Sequence, residues 1–150
     1  MRTISSVPPT IPALTDRLRV VLARTARRLR QEAGADLAPT LIAALGTVER
    51  HGPLTPSRLA EHERIQRPTA TRLIAKLEEQ GLIARTAAPG DARSCVLSIT
   101  DEGTALLVHI RTRKDAFLAR RLRALPAEDR ATLARAADLL EALLQDGERS

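Results

Sequence analysis

Cysteine is almost missing from this chain: Cys95 stands alone in 150 residues. No internal disulfide can form, which excludes a secreted disulfide scaffold and leads us to expect a reducing compartment, the cytoplasm. Long apolar runs are missing too. No stretch approaches the roughly 18 residues that a membrane-spanning helix requires, and a soluble protein is expected. Residues 1–12 carry Pro8, Pro9 and Pro12 without the apolar core of a signal peptide, so they read as a loose amino-terminal arm. The three histidines, His51, His62 and His109, are scattered. With no HxxxH or CxxC spacing they predict no metal site. GxSxG, P-loop and GxGxxG patterns are absent as well, and no nucleophile or carboxylate is placed beside a histidine. No catalytic residue, no cofactor and no enzymatic activity are therefore expected.

What is present is charge, and its location is more telling than its amount. Basic residues outnumber acidic ones 24 to 18, and 22 of the bases are arginine. Residues 101–150 are balanced, so the excess lies in the first hundred. From Arg64 to Lys76 the chain carries Arg64, Arg67, Arg72 and Lys76 with no acid among them, a local footprint suited to phosphates. A merely solvated helix face is the plainer reading of such a run.

Periodicity supplies the elements. Leu14, Leu18, Val21, Leu22, Thr25 and Leu29 recur at helical spacing, and Gly34 ends that helix. Pro39 opens a second helix with Leu41, Ile42, Leu45 and Val48 inward, stopping at His51, Gly52 and Pro53. Thr55 and Pro56 then give a cap and a first-turn proline for a short third helix with Leu59 and Ala60 inside. A fourth helix runs from about Arg67 to Gln80, with Ala70, Leu73, Ile74 and Leu77 on one face and Gly81 as its stop. Beyond Gly81 the pattern changes to two short strands, 82–85 and 95–99, joined through the turn formers of 88–91. Thr100 caps a fifth helix reaching Leu125, and Pro126 begins a sixth with Leu133, Ala137, Leu140 and Leu144 on one face.

Three helices followed by a two-stranded ribbon make a mainly α fold, a winged helix-turn-helix with a two-stranded β wing. In that order the fourth helix is the reader of a major groove. With its apolar face turned inward, it presents Pro68, Thr71, Arg72, Ala75 and Glu79. Thr71 and Arg72, near its amino-terminal end, are the candidate base readers, bordered by Gln66, Arg67, Pro68 and Thr69. Plainer roles compete: a phosphate or intramolecular carboxylate for Arg72, and backbone capping for Thr71. Asp91 to Ser94 is expected at the hairpin tip, where Arg93 is the wing contact for a minor groove and Asp91 orients it or ties the turn.

The wording Leu59-Ala60, Thr71-Arg72-Leu73, Leu77-Glu78, Gly81-Leu82, Asp91-x-Arg93 and Leu97-x-Ile99-Thr100-x-x-Gly103 resembles the MarR family. The resemblance spans about residues 14–145 and is specific over 59–103. It implies a homodimer: residues 1–12 an arm, 13–35 and 101–150 the helical dimerisation region, and 36–100 the DNA-binding lobe. It further implies a double-stranded palindromic operator, usually repressed, with release by a small-molecule effector. Gln66, Arg67 and Pro68 depart from the family's small capping residue, so base preference does not carry over. With one Phe and no Tyr or Trp, an effector pocket would be mostly aliphatic, anchored by His51, His109 or an arginine of the first helix. Cys95, lacking a resolving partner, is expected as a small core filler rather than a redox thiol. Two rival readings share the fold: a protein-interaction module, and a sequence-neutral architectural DNA binder.

Overall fold

Proline and glycine punctuate this chain, and the helices begin and end where they stand. The computed structural model describes residues 7–146. Among them the elements run α1 (Ile11–Ala33), α2 (Pro39–His51), α3 (Pro56–Glu63), α4 (Arg67–Glu79), β1 (Ile83–Ala88), β2 (Asp91–Ile99), α5 (Asp101–Arg123) and α6 (Ala127–Asp146). Helices α1 to α4 each hold a proline in the first turn, where the missing N–H has no helical partner to lose. Gly34 (φ 62°) and Gly81 (φ 71°) adopt the left-handed conformation past the ends of α1 and α4, where glycine carries no steric penalty. Pro12 falls inside α1 rather than in the arm, because a first-turn proline continues a helix as well as it begins one. The arm's residues 1–6 lie outside the described residues.

The chain forms two compact units, with the boundary after Arg113 inside α5. In the first, α2 is the central element, burying Leu41, Ala44, Leu45, Gly46, Thr47 and Val48. Leu59 of α3, Ile74 and Leu77 of α4, and Leu97 of β2 close over it at 0–1% exposure. Truncating such a leucine to alanine typically costs about 2–5 kcal/mol. Leu54, between α2 and α3, exchanges backbone hydrogen bonds with Leu97 at 3.2 and 2.8 Å, so the wing is stitched to the helix-turn-helix by main chain as well as by side chains.

The wing is longer than periodicity predicts. β1 and β2 pair antiparallel from Ile83↔Ile99 to Ala87↔Cys95, then shift register so that Ala88 faces Asp91. The turn proper is Pro89 and Gly90, the latter at φ 81°. Asp91, Arg93 and Ser94 therefore belong to an irregular stretch of β2 beside the tip rather than to the tip itself. Small residues such as Ala87 and Ala88 give no alternating signal, which is why the strands looked shorter.

Thr100 ties the end of the wing to α5. Its hydroxyl donates to the Gly81 carbonyl at 2.6 Å and accepts from the Gly103 amide at 3.1 Å, acting as the N-cap expected for α5. Gly103 packs so closely on the preceding loop that a Cβ there would stand 2.2 Å from the Leu82 carbonyl oxygen. Farther along α5, Leu107 and Ile110 are buried, whereas His109 is exposed. Arg111 reaches back to α2 through a two-point ion pair with Glu49, and Arg113 donates to the Glu32 carbonyl at 3.0 Å, satisfying the last turn of α1.

Along α1 only Ala33 is buried among the described residues, and the expected inward positions Val21 and Leu22 are 50% and 46% exposed. In the second unit, Leu133, Leu139, Leu143 and Leu144 of α6 are exposed. The amphipathic patterns of these two helices are real, but a single chain does not cover their apolar faces. Among the described residues no helix is long and apolar enough to cross a membrane.

Candidate nucleic-acid interface

The turn between α3 and α4 is built by one strained residue. α3 begins on Thr55, whose hydroxyl accepts from the Arg58 amide at 3.3 Å, and ends on Arg64 in the left-handed conformation (φ 53°, ψ 44°). That conformation costs a side-chain-bearing residue about 1–2 kcal/mol. It lets the Arg64 and Ile65 amides close on the carbonyls of Glu61 and Ala60 at 3.2 and 3.0 Å, and α4 starts two residues later.

α4 buries Ala70, Ile74 and Leu77, while Pro68, Thr71, Arg72, Ala75 and Glu79 are all exposed. Leu73, expected inward, packs against the core and is half-buried. Gln66 occupies the N-cap in an extended conformation and makes no side-chain cap. The first-turn amides of α4 thus keep no side-chain acceptor, and with the helix dipole they form an end that favours anions.

Arg64, Arg67, Arg72 and Lys76 are exposed, and none forms an ion pair among the described residues. Their neighbours behave differently: Arg58 pairs with Glu61 at 2.9 Å, and Arg85 pairs with Glu78. The carboxylate alternative for Arg72 is therefore not what the fold adopts. Thr71 is partly committed, because its hydroxyl donates to the Arg67 carbonyl at 3.0 Å. That leaves a methyl group and an accepting lone pair to face outward.

At the wing, the Asp91 carboxylate accepts from the Arg93 amide at 2.9 Å and from the Ser94 hydroxyl at 3.1 Å. It fixes the backbone of the irregular stretch and leaves the exposed Arg93 guanidinium outside any ion pair among the described residues. The Arg85–Glu78 pair joins β1 to the last turn of α4. The Glu78 hydrogen bond raises the Arg85 pKa above its ordinary value.

The remaining candidates are dispersed. Cys95 is half-buried on β2 with the Arg85 side chain beside it. Opposite Ala87 on the wing, it keeps partial exposure and stands outside the buried core in which a small filler was expected. His51 stacks on His62 with ring centroids 4.2 Å apart and planes 13° from parallel. Sequence spacing carried no sign of that contact or of the Arg85–Glu78 link, whereas Gln66 in place of a small capping residue agrees with the uncapped start of α4. The run of four bases was legible, but their freedom from carboxylates was not.

Comparison with known proteins places this geometry. Residues 37–95, from the start of α2 into β2, match the MarR family. An HTH-type transcriptional regulator of Mycobacterium tuberculosis is 33% identical over 134 residues, 89% of this chain and 94% of its own length. The HTH-type transcriptional repressor MdtR of Bacillus subtilis is 33% identical over 91 residues, 61% of this chain and 59% of the repressor. Among solved structures, a Pseudomonas aeruginosa protein described in terms of transcriptional regulation is 35% identical with a TM-score of 0.81, over 91% of this chain and 99% of that one. A Staphylococcus aureus MepR variant bound to an oligodeoxyribonucleotide, 21% identical, shares the fold at a TM-score of 0.69 over 87% and 97% of the two chains. With a winged helix-turn-helix in the family's order and a third of its residues shared with such a regulator over nearly its whole length, the chain belongs to the MarR family of transcriptional regulators.

Proposed function

We propose that the chain binds a palindromic operator in double-stranded DNA as a homodimer and represses its own or a neighbouring operon in the cytoplasm, without catalysing a reaction. The observation that carries this reading is the set of exposed bases on and before α4, Arg64, Arg67, Arg72 and Lys76, none of them paired with a carboxylate among the described residues. Phosphates are the counter-charges such a surface suits. Thr71 and Arg72 read base edges, Gln66, Arg67, Pro68 and Thr69 border them on the backbone, Arg93 enters the minor groove, and Asp91 supports it. The DNA-bound MepR variant, with the same fold, and the repressor name of MdtR support this reading by analogy.

The uncovered apolar faces of α1 and α6 support pairing of two chains through residues 13–35 and 101–150, with residues 36–100 reading DNA. Two recognition helices then meet successive major grooves about 34 Å apart. A small-molecule effector that prefers a different spacing releases the operator by its differential affinity for the two arrangements.

Fluorescence anisotropy of the purified protein against its own upstream intergenic DNA and a scrambled duplex, at physiological salt, tests the proposal. One dimer bound selectively to the native duplex is expected. Equal binding to both duplexes overturns it in favour of an architectural role, and no binding to either favours a protein-interaction module.

A further inference from the structure

A cavity of about 350 Å³ opens on the flank of the DNA-binding lobe, between α2, the α3–α4 turn and α4. Its size lies at the lower end of small-molecule sites, roughly 300–1,000 Å³. Pro39 and Ala43 of α2, Ile65 of the turn and Leu73 of α4 give it apolar walls. Leu73, half-buried, packs against the core on one side and borders this space on the other. Thr69, also on the wall, stands one turn before Leu73 on α4 and borders the face that carries Arg72. A molecule seated here touches the recognition helix at the edge of its reading face, through Thr69 and Leu73.

One ionisable residue lines the cavity, Glu63 at the end of α3. One of its oxygens accepts from the buried Thr47 hydroxyl, which fixes the side chain in place. Arg50 stands behind Thr47, donating to that hydroxyl at 3.4 Å, and forms no ion pair with Glu63. The second carboxylate oxygen has no hydrogen-bond partner among the described residues.

We infer that this cavity is a binding site for small hydrophobic cations, with Glu63 as the counter-charge. The inference deepens the effector reading above and rests on it for its regulatory meaning. Three classes of ligand can fill apolar walls, and the carboxylate separates them. An anion would meet Glu63 at close range in a medium of lowered dielectric. A neutral apolar molecule would strip water from the carboxylate and leave it unpaired, a desolvation cost without return. An ammonium head supplies charge-assisted hydrogen bonds to the open oxygen while its apolar body covers Ala43, Ile65 and Leu73.

Calorimetric titration of the full chain with three cage compounds of matched shape tests this: 1-adamantylammonium, 1-adamantanol and 1-adamantanecarboxylate. The ammonium is expected to bind about tenfold more tightly than the alcohol, as about 1.4 kcal/mol of charge pairing gives, with the carboxylate weakest. In Glu63→Gln, which can still accept from Thr47, ammonium and alcohol converge. Ala43→Leu, at an exposed position, fills the cavity and weakens all three, and thermal melts confirm that both variants fold. A carboxylate that binds as well as the ammonium, a preference that survives Glu63→Gln, binding indifferent to Ala43→Leu, or no heat from any compound each overturns the site. Operator titrations on the same samples keep the two readings separate. Glu63-dependent cation selectivity supports the site whatever the DNA returns, and selective operator binding without it overturns the site while the regulator stands.

Discussion

Arg72 and Arg93 carry the same charge in different settings. Arg72 stands on a helix whose buried face is locked by Ala70 and Ile74, so in the proposed complex its guanidinium would reach a fixed place in a groove. Arg93 leaves an irregular stretch held by Asp91, a setting that suits a contact with potential rather than with a particular base. Arg72→Ala is expected to cost about 1–3 kcal/mol of operator affinity and to relax preference at one position in each half-site, whereas Arg93→Ala should lower the salt slope with little loss of specificity. Operator titrations over a salt series check both, and unchanged binding by both variants removes them from the interface. Gly103 makes a different kind of demand. An added Cβ meets backbone at Leu82 and the Ile99 side chain at 2.2 and 2.8 Å, and backbone yields only by moving the start of α5 away from the lobe. Gly103→Ala should destabilise by at least the roughly 1–3 kcal/mol of an overpacked core, seen as a lowered thermal midpoint; a melt like the wild type would show that α5 docks less tightly than the contact implies.

The helices are pinned to one another at few polar points, and the α2–α5 pin titrates. The Arg111 hydrogen bond holds the Glu49 carboxyl below its ordinary pKa of 4.5 and raises that of Arg111 in return. A depressed carboxylate contributes stability that is present above its unfolded pKa and is lost as pH falls through the folded one. Glu49→Gln should therefore be less stable than the wild type near neutrality, by no more than about 1 kcal/mol for a solvent-screened pair, and the difference should close below pH 4.5. Denaturant midpoints across that range check it, and a gap that persists in acid would mean the variant had damaged packing instead. Locally encoded features were readable in advance: first-turn prolines, Gly34 and Gly81, and the caps Thr55 and Thr100 act within a few residues, and periodicity shows α2 and α4 because one face of each meets a core. Non-local features were not. The lengthened wing, the half-buried Cys95 and the pairing of Arg85 with Glu78 depend on what arrives from elsewhere in the chain. Thr71 spends its proton on its own helix, a choice that any mid-helix threonine can make and that spacing does not reveal.

Two patterns that predict buried faces, in α1 and α6, end with leucines and valines in water: Leu22 is 46% exposed and Leu144 is 74% exposed. Faces of this kind call for a cover, and a second copy supplies it in the homodimer proposed above. Deleting residues 126–150 is then expected to abolish the dimer and, with it, operator binding. Sedimentation and anisotropy on the truncated chain check this, and a stable monomer that still binds DNA would contradict it. The exposed leucines also tie the regulator to its own abundance. If the proposed homodimer is what covers them, a low copy number would leave the chain uncovered for more of its time, where cellular proteases and chaperones find apolar side chains. Scarcity would then shorten its lifetime as well as thin its occupancy of DNA. Dilution through cell division would be amplified rather than merely followed, giving the controlled gene a sharper threshold than binding to its promoter would produce by itself.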